Sequence, residues 1–190
     1  MNVYVLLLAG YALISQPDVA VANRSADRGQ NSMHSVTSAG PGGEIDKADL
    51  RVCCEKIKNQ GQHIYFLRDR NGNVKLQVRG IYVHGSALYF QLQLNNRSSR
   101  DYAIDGVRFL IMGSNRGRPG TAGPRELEPV YIHDSSTIVP GYTRVESIFV
   151  FPRFIMPRGG QLSIDVQEKN GGRRLHVLVT NWILARARLI

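Results

Sequence analysis

Apolar and polar residues alternate along much of the chain after residue 62, and this pattern predicts β-strands. The run L-Y-F-Q-L-Q-L at residues 88–94 places Leu88, Phe90 and Leu92 on one face and Tyr89 and Gln91 on the other. A period of two is typical of a strand with one buried face, so this strand is predicted to be half-buried. Further strands are predicted at residues 63–67, 76–83, 107–111, 144–151, 162–166 and 175–179.

Glycines mark the turns between these strands. Gly72, Gly85 and Gly171 each stand in a short polar stretch between two alternating runs. Gly accepts the positive φ that tight hairpin turns require, so each stretch predicts a hairpin. The alternation slips by one residue at Gly80, which predicts a β-bulge at that position.

Short strands with a turn about every ten residues predict an all-β fold. We predict an immunoglobulin-like antiparallel β-sandwich over residues 63–190, with a short C-terminal helix at residues 181–188, for which a strand is the alternative. One α-helix is predicted before the sandwich, over residues 45–62, with Asp46 as its N-cap and Gly61 as its stop signal. Its apolar residues recur at helical spacing: Ile45, Ala48, Val52, Cys53 and Ile57.

The first 44 residues differ in composition from the rest of the chain. Residues 3–14 are almost wholly apolar, and small residues at 20 and 22 fit a signal-peptidase site. We predict a signal peptide at residues 1–22, although no basic residue precedes the apolar run; a core strand is the alternative. Residues 23–44 are rich in Ser, Ala, Gly and Asn, which predicts a flexible linker. The protein is therefore expected to be exported.

The chain is strongly basic, with a net charge of +9 and a pI near 9.9. Such a charge favours acidic partners, which include nucleic acid, anionic lipid and acidic protein surfaces. Residues 113–123 form a loop rich in Gly, Pro and Arg. We predict this loop as a contact surface for a partner, with Arg116, Arg118 and Arg125 as its candidate residues.

The residue types that usually carry chemistry are scattered. Cys53 and Cys54 are neighbours, and this spacing fits neither a zinc site nor a redox motif; one buried and one incidental thiol is the expectation. The five histidines show no metal-ligand spacing. Residues 133–135 read His-Asp-Ser, but sequence neighbours cannot form a convergent triad. We therefore expect no enzyme activity, no metal and no cofactor.

The segment E-K-N-G-G-R at residues 168–173 admits two interpretations. Structurally, Asn170, Gly171 and Gly172 suit a tight turn, and Glu168 opposite Arg173 or Arg174 would form a cross-strand ion pair. Functionally, the same turn would be an exposed motif for a partner. Both interpretations keep these residues as a candidate hairpin motif: Glu168, Asn170, Gly171, Gly172 and Arg173.

Several separated segments together resemble the C-terminal domain of the TraN family of Bacteroides conjugative transposons. The resemblance covers residues 57–188. Two departures from the family are visible, since residues 113–125 are richer in Gly and Pro and only a linker and one helix precede the sandwich. The segments that carry the resemblance are G-I-Y-V at 80–83, L-Y-F at 88–90, N-R-S at 96–98, D-Y-A-I-D at 101–105 with R-F at 108–109, T-A at 121–122 with residues 126–129, and E-K-N-G-G-R at 168–173.

This resemblance implies a structural component of a cell-envelope conjugative transfer apparatus of the type IV secretion kind. It implies a location in the periplasm or outer membrane, homo- or hetero-oligomeric assembly with other subunits of the apparatus, and membrane association through those partners. It implies no catalysis and no cofactor. The alternative is a periplasmic or surface binding module for an anionic ligand, either nucleic acid or polysaccharide. Direct contact with nucleic acid stays open.

Overall fold

The computed structural model describes residues 47–113 and 123–190. The predicted signal peptide (1–22), the linker (23–44) and the N-cap Asp46 lie outside these residues. The described elements follow in the order α1 (Lys47–Lys58), β1 (Arg68–Asn71), β2 (Val74–His84), β3 (Ala87–Asn96), β4 (Tyr102–Met112), β5 (Arg125–Leu127), β6 (Tyr131–His133), β7 (Ile138–Val139), β8 (Arg144–Pro152), β9 (Gln161–Glu168), β10 (Arg174–Thr180), α2 (Asn181–Leu184) and β11 (Arg188–Leu189).

The strands form two sheets that pack as a sandwich, which confirms the all-β prediction. The first sheet has the order β1-β2-β3-β8-β6, and the second has the order β10-β9-β4-β5. Strand β7 also pairs with β4, and β11 pairs with β2. All pairings are antiparallel except that of β11 with β2. One early helix and one short late helix accompany the sheets, as the sequence predicts.

Four phenylalanines fill the space between the sheets. Phe109 on β4 lies 5.2 Å from Phe149 and 4.6 Å from Phe151, both on β8, between ring centroids. Phe90 on β3 lies 5.5 Å from Phe109. Such pairs contribute roughly 0.5–1.5 kcal/mol beyond the burial of their area. This cluster therefore joins the two sheets at the centre of the sandwich.

Strand β3 is buried on both faces, so the prediction of a half-buried strand is wrong. Tyr89 and Gln91, the residues predicted to face solvent, are 1% and 0% exposed. Helix α1 covers Tyr89 on the outer face of the first sheet. Gln91, on the same face, accepts a hydrogen bond from the Tyr82 hydroxyl at 3.3 Å and donates to Glu146 at 2.6 Å. The buried residues between helix and sheet are Leu50, Cys53, Cys54, Ile57, Tyr82, Ala87, Tyr89, Ile148 and Val150.

The buried stripe of α1 differs from the predicted one. Leu50, Cys53 and Ile57 face the sheet, whereas Val52 is 53% exposed. Cys54 is also fully buried, so neither thiol is the incidental surface residue that the sequence suggested. Burial raises the pKa of Cys54 to about 12, which keeps this thiol protonated. The two cysteines serve as small apolar residues under the helix.

The predicted first strand at residues 63–67 is not a strand. The amide N–H groups of His63 and Ile64 both donate to the carbonyl of Arg79, so the ladder does not continue. Further along β2, strand β11 occupies the same edge by pairing with Tyr82 and Val83. The first strand therefore begins only at Arg68.

The bulge at Gly80 is confirmed, because the pairing of β2 with β3 shifts between Val78 and Gly80. A Cβ at Gly80 would lie 2.6 Å from ring carbons of His63 and Tyr82, so the site requires glycine. Gly72 and Gly85 adopt φ values of +58° and +53° in the predicted hairpin turns.

We predict that Ile57→Ala destabilises the protein by about 2–4 kcal/mol, because it leaves a cavity between α1 and the first sheet. Val52→Ala, on the exposed face of the same helix, should change the free energy of unfolding by less than about 0.5 kcal/mol. Urea denaturation followed by circular dichroism measures both. Equal stability of the two variants would contradict the packing of α1 on the sheet.

Candidate functional site

One end of the sandwich brings together three loops that are distant in sequence. These are residues 97–101 after β3, residues 140–143 before β8, and the hairpin of residues 169–173 between β9 and β10. A cleft lies between the first loop and the hairpin. We call it the hairpin cleft; its lining residues are Ser98, Ser99, Arg100, Asp101, Glu168, Asn170, Gly171, Gly172 and Arg173.

The side chain of Asn96 holds the first loop, residues 97–101, through hydrogen bonds. It is fully buried at the end of β3. The amide Nδ2 donates to the carbonyls of Arg100 at 2.7 Å and Val139 at 3.0 Å. The amide Oδ1 accepts hydrogen bonds from the backbone N–H of Ser98 at 3.0 Å and its hydroxyl at 2.6 Å. One buried amide thus satisfies four groups and holds β3, the loop and β7 together.

Asp101 ties this loop to residues 140–143. Its carboxylate accepts a hydrogen bond from the N–H of Gly141 at 2.9 Å. The backbones approach closely here, since a Cβ at Gly141 would lie 2.8 Å from the carbonyl oxygen of Ser99. The two loops therefore form one rigid wall of the cleft.

The predicted cross-strand ion pair joins Glu168 to Arg173 across the hairpin. Arg173 Nε donates to Glu168 Oε2 at 2.8 Å, and the second guanidinium nitrogen donates to Oε1. The pair is bidentate, which is the strongest geometry for this type of contact. The guanidinium holds the pKa of Glu168 below its ordinary value of 4.5, mainly through this hydrogen bond.

Tyr102 connects the hairpin to the start of β4. Its hydroxyl donates to the carbonyl of Arg173 at 3.1 Å, and the guanidinium of Arg173 lies 5.1 Å from the ring centroid. Burial raises the pKa of Tyr102 to about 12. The N–H of Lys169 also donates to the carbonyl of Ala103 at 2.8 Å. The hairpin is thus fixed to the sheet by backbone, ring and ion-pair contacts together.

The glycines of the motif have different roles. A Cβ at Gly171 would collide with the Glu168 carboxylate and lie 2.6 Å from its Cγ, whereas a Cβ at Gly172 would meet open space. Asn170 takes the positive φ of the turn, at +55°. Glu168 therefore folds over Gly171 to reach Arg173, and the motif acts as one unit.

Arg174 does not take part in this ion pair. It lies 3.2 Å from the carboxylate of Asp165, which is 6% exposed on the outer face of the second sheet. The sequence left open whether Glu168 faces Arg173 or Arg174, and the structure assigns Arg173.

The predicted contact loop is described only at its margins. Arg116 and Arg118 lie outside the described residues. Arg125 begins β5, where it is exposed and pairs across the strand with Ile111. Its position is at the end of the sandwich opposite the hairpin cleft, because β4 runs from one end to the other.

An apolar cavity of about 180 Å³ opens between the two sheets, and it was not predicted from the sequence. Ile104, Val107 and Phe149 line its interior, while Asp105 and the polar residues 135–137 lie at its mouth. Alternating strand patterns predict that such side chains face the core, but they do not reveal how completely the core is filled. The cavity arises beside the bulge of β4 at residues 104–106.

His133, in the run His-Asp-Ser, takes part in a polar cluster that joins β6 to α1. Its Nε2 lies 3.2 Å from Glu55 on α1 and 3.7 Å from Asp134, and Lys58 donates to Asp134 at 2.6 Å. Ser135 instead lines the cavity. These contacts hold the end of α1 against β6.

Residues 47–113 and 123–190 contain no group of three or more His, Cys, Asp or Glu side chains that could hold a metal ion. Within the same ranges, no helix is long and apolar enough to cross a membrane.

The fold and the hairpin cleft define an all-β sandwich protein with a helix on one outer face and a rigid polar cleft at one end. A family model described as "Domain of unknown function (DUF4138)" matches residues 48–189, and the chain belongs to this family. A search of curated proteins and a search of solved structures each returned no match.

We predict that Gly171→Ala destabilises the protein by about 1–2 kcal/mol, because the new Cβ displaces the Glu168 carboxylate from Arg173. Gly172→Ala should change the free energy of unfolding by less than about 0.5 kcal/mol. In a double-mutant cycle, Gly171→Ala should add little to Glu168→Gln, since both remove the same ion pair. Additive losses would show that Gly171 acts independently of Glu168.

The ion pair also predicts a pH dependence. The pKa of Glu168 is lowered in the folded state, so its contribution is complete above about pH 4.5 and is lost as pH falls through the lowered value. The wild-type protein should therefore lose stability more steeply with acid than Glu168→Gln. Thermal unfolding of both proteins on the acid side of neutrality measures this difference. Parallel curves would mean that Glu168 contributes nothing to acid sensitivity.

Proposed function

We propose that this protein is a structural subunit of a cell-envelope conjugative transfer apparatus of the type IV secretion kind. In this proposal it is exported and acts in the periplasm or at the outer membrane through assembly with other subunits. The resemblance to the TraN family supplies the functional class. It is a proposal about this chain, because the family to which the chain belongs is one of unknown function.

The observation that carries the proposal is the convergence of the resembling segments. N-R-S at 96–98, the start of D-Y-A-I-D at 101–105, and E-K-N-G-G-R at 168–173 are far apart in sequence. In the fold they meet around the hairpin cleft through the contacts of Asn96, Tyr102 and Arg173. Three of the resembling segments thus build one surface, whereas those at 80–83 and 88–90 lie in the buried first sheet.

The rigidity of this surface supports a role in docking. The buried Asn96 amide and the ion pair of Arg173 order the loops before any partner binds, so binding loses little conformational entropy. Lys169 and Asn170 are exposed at the tip of the hairpin beside the cleft. This arrangement suits a polar segment of a neighbouring subunit with acidic or amide side chains.

The direct experiment is deletion of the gene from its mobile element, followed by complementation. We expect deletion to abolish transfer, and the tagged wild-type protein to restore it. Size-exclusion chromatography with light scattering on a detergent extract of the envelope should then show the protein in a large, salt-resistant assembly with other transfer subunits. Unimpaired transfer after deletion would contradict the proposal.

The alternative function, binding of an anionic ligand, has a different signature. Its affinity for nucleic acid or polysaccharide would fall steeply with salt, because it would depend on the net charge of +9. Monomeric protein in the extract with salt-sensitive ligand binding would therefore favour that alternative.

We predict that Lys169→Glu lowers transfer in the complemented strain at least about tenfold, since a reversed charge at a docking surface costs one to several kcal/mol. The side chain is exposed, so the free energy of unfolding should be nearly unchanged. Lys56→Glu, on the exposed face of α1, is the matched control and should transfer normally. Equal transfer by both variants would remove the hairpin from the docking surface.

A further inference from the structure

The end of the sandwich opposite the hairpin cleft is built from two segments, residues 153–159 and residues 181–189. Arg153 N–H donates to the carbonyl of Ser86 at 2.8 Å, and Asn181 Nδ2 donates to the carbonyl of Pro157 at 3.1 Å. The first segment is thus held both to the turn after β2 and to α2. We call this surface the arginine end.

The arginine end exposes large apolar side chains. Ile155 is 90% exposed, more than any other large apolar residue in the described part of the chain. Leu189 is 84% exposed and Trp182 is 56% exposed. A shallow groove between Ile155 and Leu184 continues this apolar surface. Grouped exposure of this kind at one end of a fold marks an interaction site.

Arginines accompany these side chains. The four arginines of the two segments are exposed, and the described residues contain no ion pair to any of them. The guanidinium of Arg186 lies 3.6 Å from the ring centroid of Trp182. Neither segment contains Asp or Glu; Glu126 and Glu128 line a groove beside Arg153, and Glu126 is paired with Arg108. The arginines of this end are Arg153, Arg158, Arg186 and Arg188.

We propose that the arginine end docks directly onto an anionic membrane surface. The guanidinium groups would contact lipid phosphates, and Ile155 and Trp182 would enter the interface between headgroups and acyl chains. Basic side chains gain from the negative surface potential of a membrane, and Trp is favoured at this depth. This goes beyond the proposed function, in which membrane association passes through partners, and it does not depend on the identity of the apparatus.

The apolar side chains favour lipid over nucleic acid. Single-stranded nucleic acid binds basic grooves whose aromatic rings stack on the bases. Ile155 has no ring, and the ring of Trp182 already carries the Arg186 guanidinium on one face. An exposed aliphatic side chain between two arginines, Arg153 and Arg158, instead matches the boundary between charged headgroups and apolar chains.

Trp182 is the single tryptophan of the chain, so its fluorescence reports on this surface alone. The full-length protein is mixed with vesicles of phosphatidylcholine, with or without phosphatidylglycerol. We expect a blue shift of the emission, and quenching by brominated acyl chains, only with the anionic vesicles. The apolar residues 3–14 do not confound this readout, because binding through them alone leaves Trp182 in water.

Two variants test the two parts of the surface. Ile155→Asp should abolish the blue shift, and Arg153→Gln with Arg158→Gln should weaken vesicle binding about tenfold or more, as expected for two basic residues near an anionic surface. The matched controls lie at the opposite end, where Tyr142 is 76% exposed. Tyr142→Ser and the pair Arg97→Gln with Arg100→Gln should bind like wild type. Circular dichroism confirms folding of each variant.

Three results would overturn the proposal. The first is an unshifted Trp182 with anionic vesicles, or an equal shift with neutral ones. The second is an equal loss of vesicle binding in the control variant Arg97→Gln with Arg100→Gln. Binding would then depend on the net charge of the protein and not on the arginine end. The third is tight binding of a short single-stranded DNA that Arg153→Gln with Arg158→Gln abolishes, which would assign the surface to nucleic acid, or a dimer that Ile155→Asp dissociates, which would assign it to a second copy.

Discussion

The packing of Phe109 against the aromatic rings of the facing sheet is the contact on which both ends of the molecule depend. Phe109 lies on β4, which begins at Tyr102 beside the hairpin cleft and ends at Met112, near Gly160 at the other end. The buried rings fix the position of β4 against β8 of the facing sheet. Because one strand reaches both ends, its alignment places the hairpin cleft and the arginine end on opposite sides of a single core.

The two sheets differ in what covers their outer faces. Helix α1 buries the outer face of the first sheet, and the buried thiols and Ile57 make that contact apolar. The outer face of the second sheet carries ion pairs instead, such as Arg108 with Glu126 at 2.6 Å. Ion pairs between side chains as exposed as these contribute little to the free energy of unfolding. Of the two outer faces, the one under α1 therefore contributes more to stability.

Much of the sandwich could be predicted from the sequence, because alternation and turn glycines are local signals. The hairpins at Gly72 and Gly85 and the bulge at Gly80 were predicted correctly for this reason. Short edge strands such as β5 to β7 have too few residues for a period to appear, and they were missed. The burial of Tyr89 was missed as well, because a strand does not reveal that a helix distant in sequence will cover it.

The same distinction applies to the candidate site. The ion pair of Glu168 with Arg173 is a contact across one hairpin, and its residues alone indicated it. The wall formed by Asn96 and Asp101 depends on loops that only the tertiary fold brings together. The exposure of Ile155 could not be predicted, because in an irregular segment no periodic pattern distinguishes an exposed apolar residue from a buried one.

In the two proposals, the sandwich binds protein partners at one end and lipid at the other, and cysteine labelling tests both at once. Cys53 and Cys54 are buried, so Ile155→Cys or Lys169→Cys adds a single accessible thiol. Both variants should react with a charged maleimide when purified, and both should be protected in the native envelope fraction. Detergent should then restore labelling of Ile155→Cys but leave Lys169→Cys protected by its partners. Full labelling of both variants in the native envelope would contradict the account.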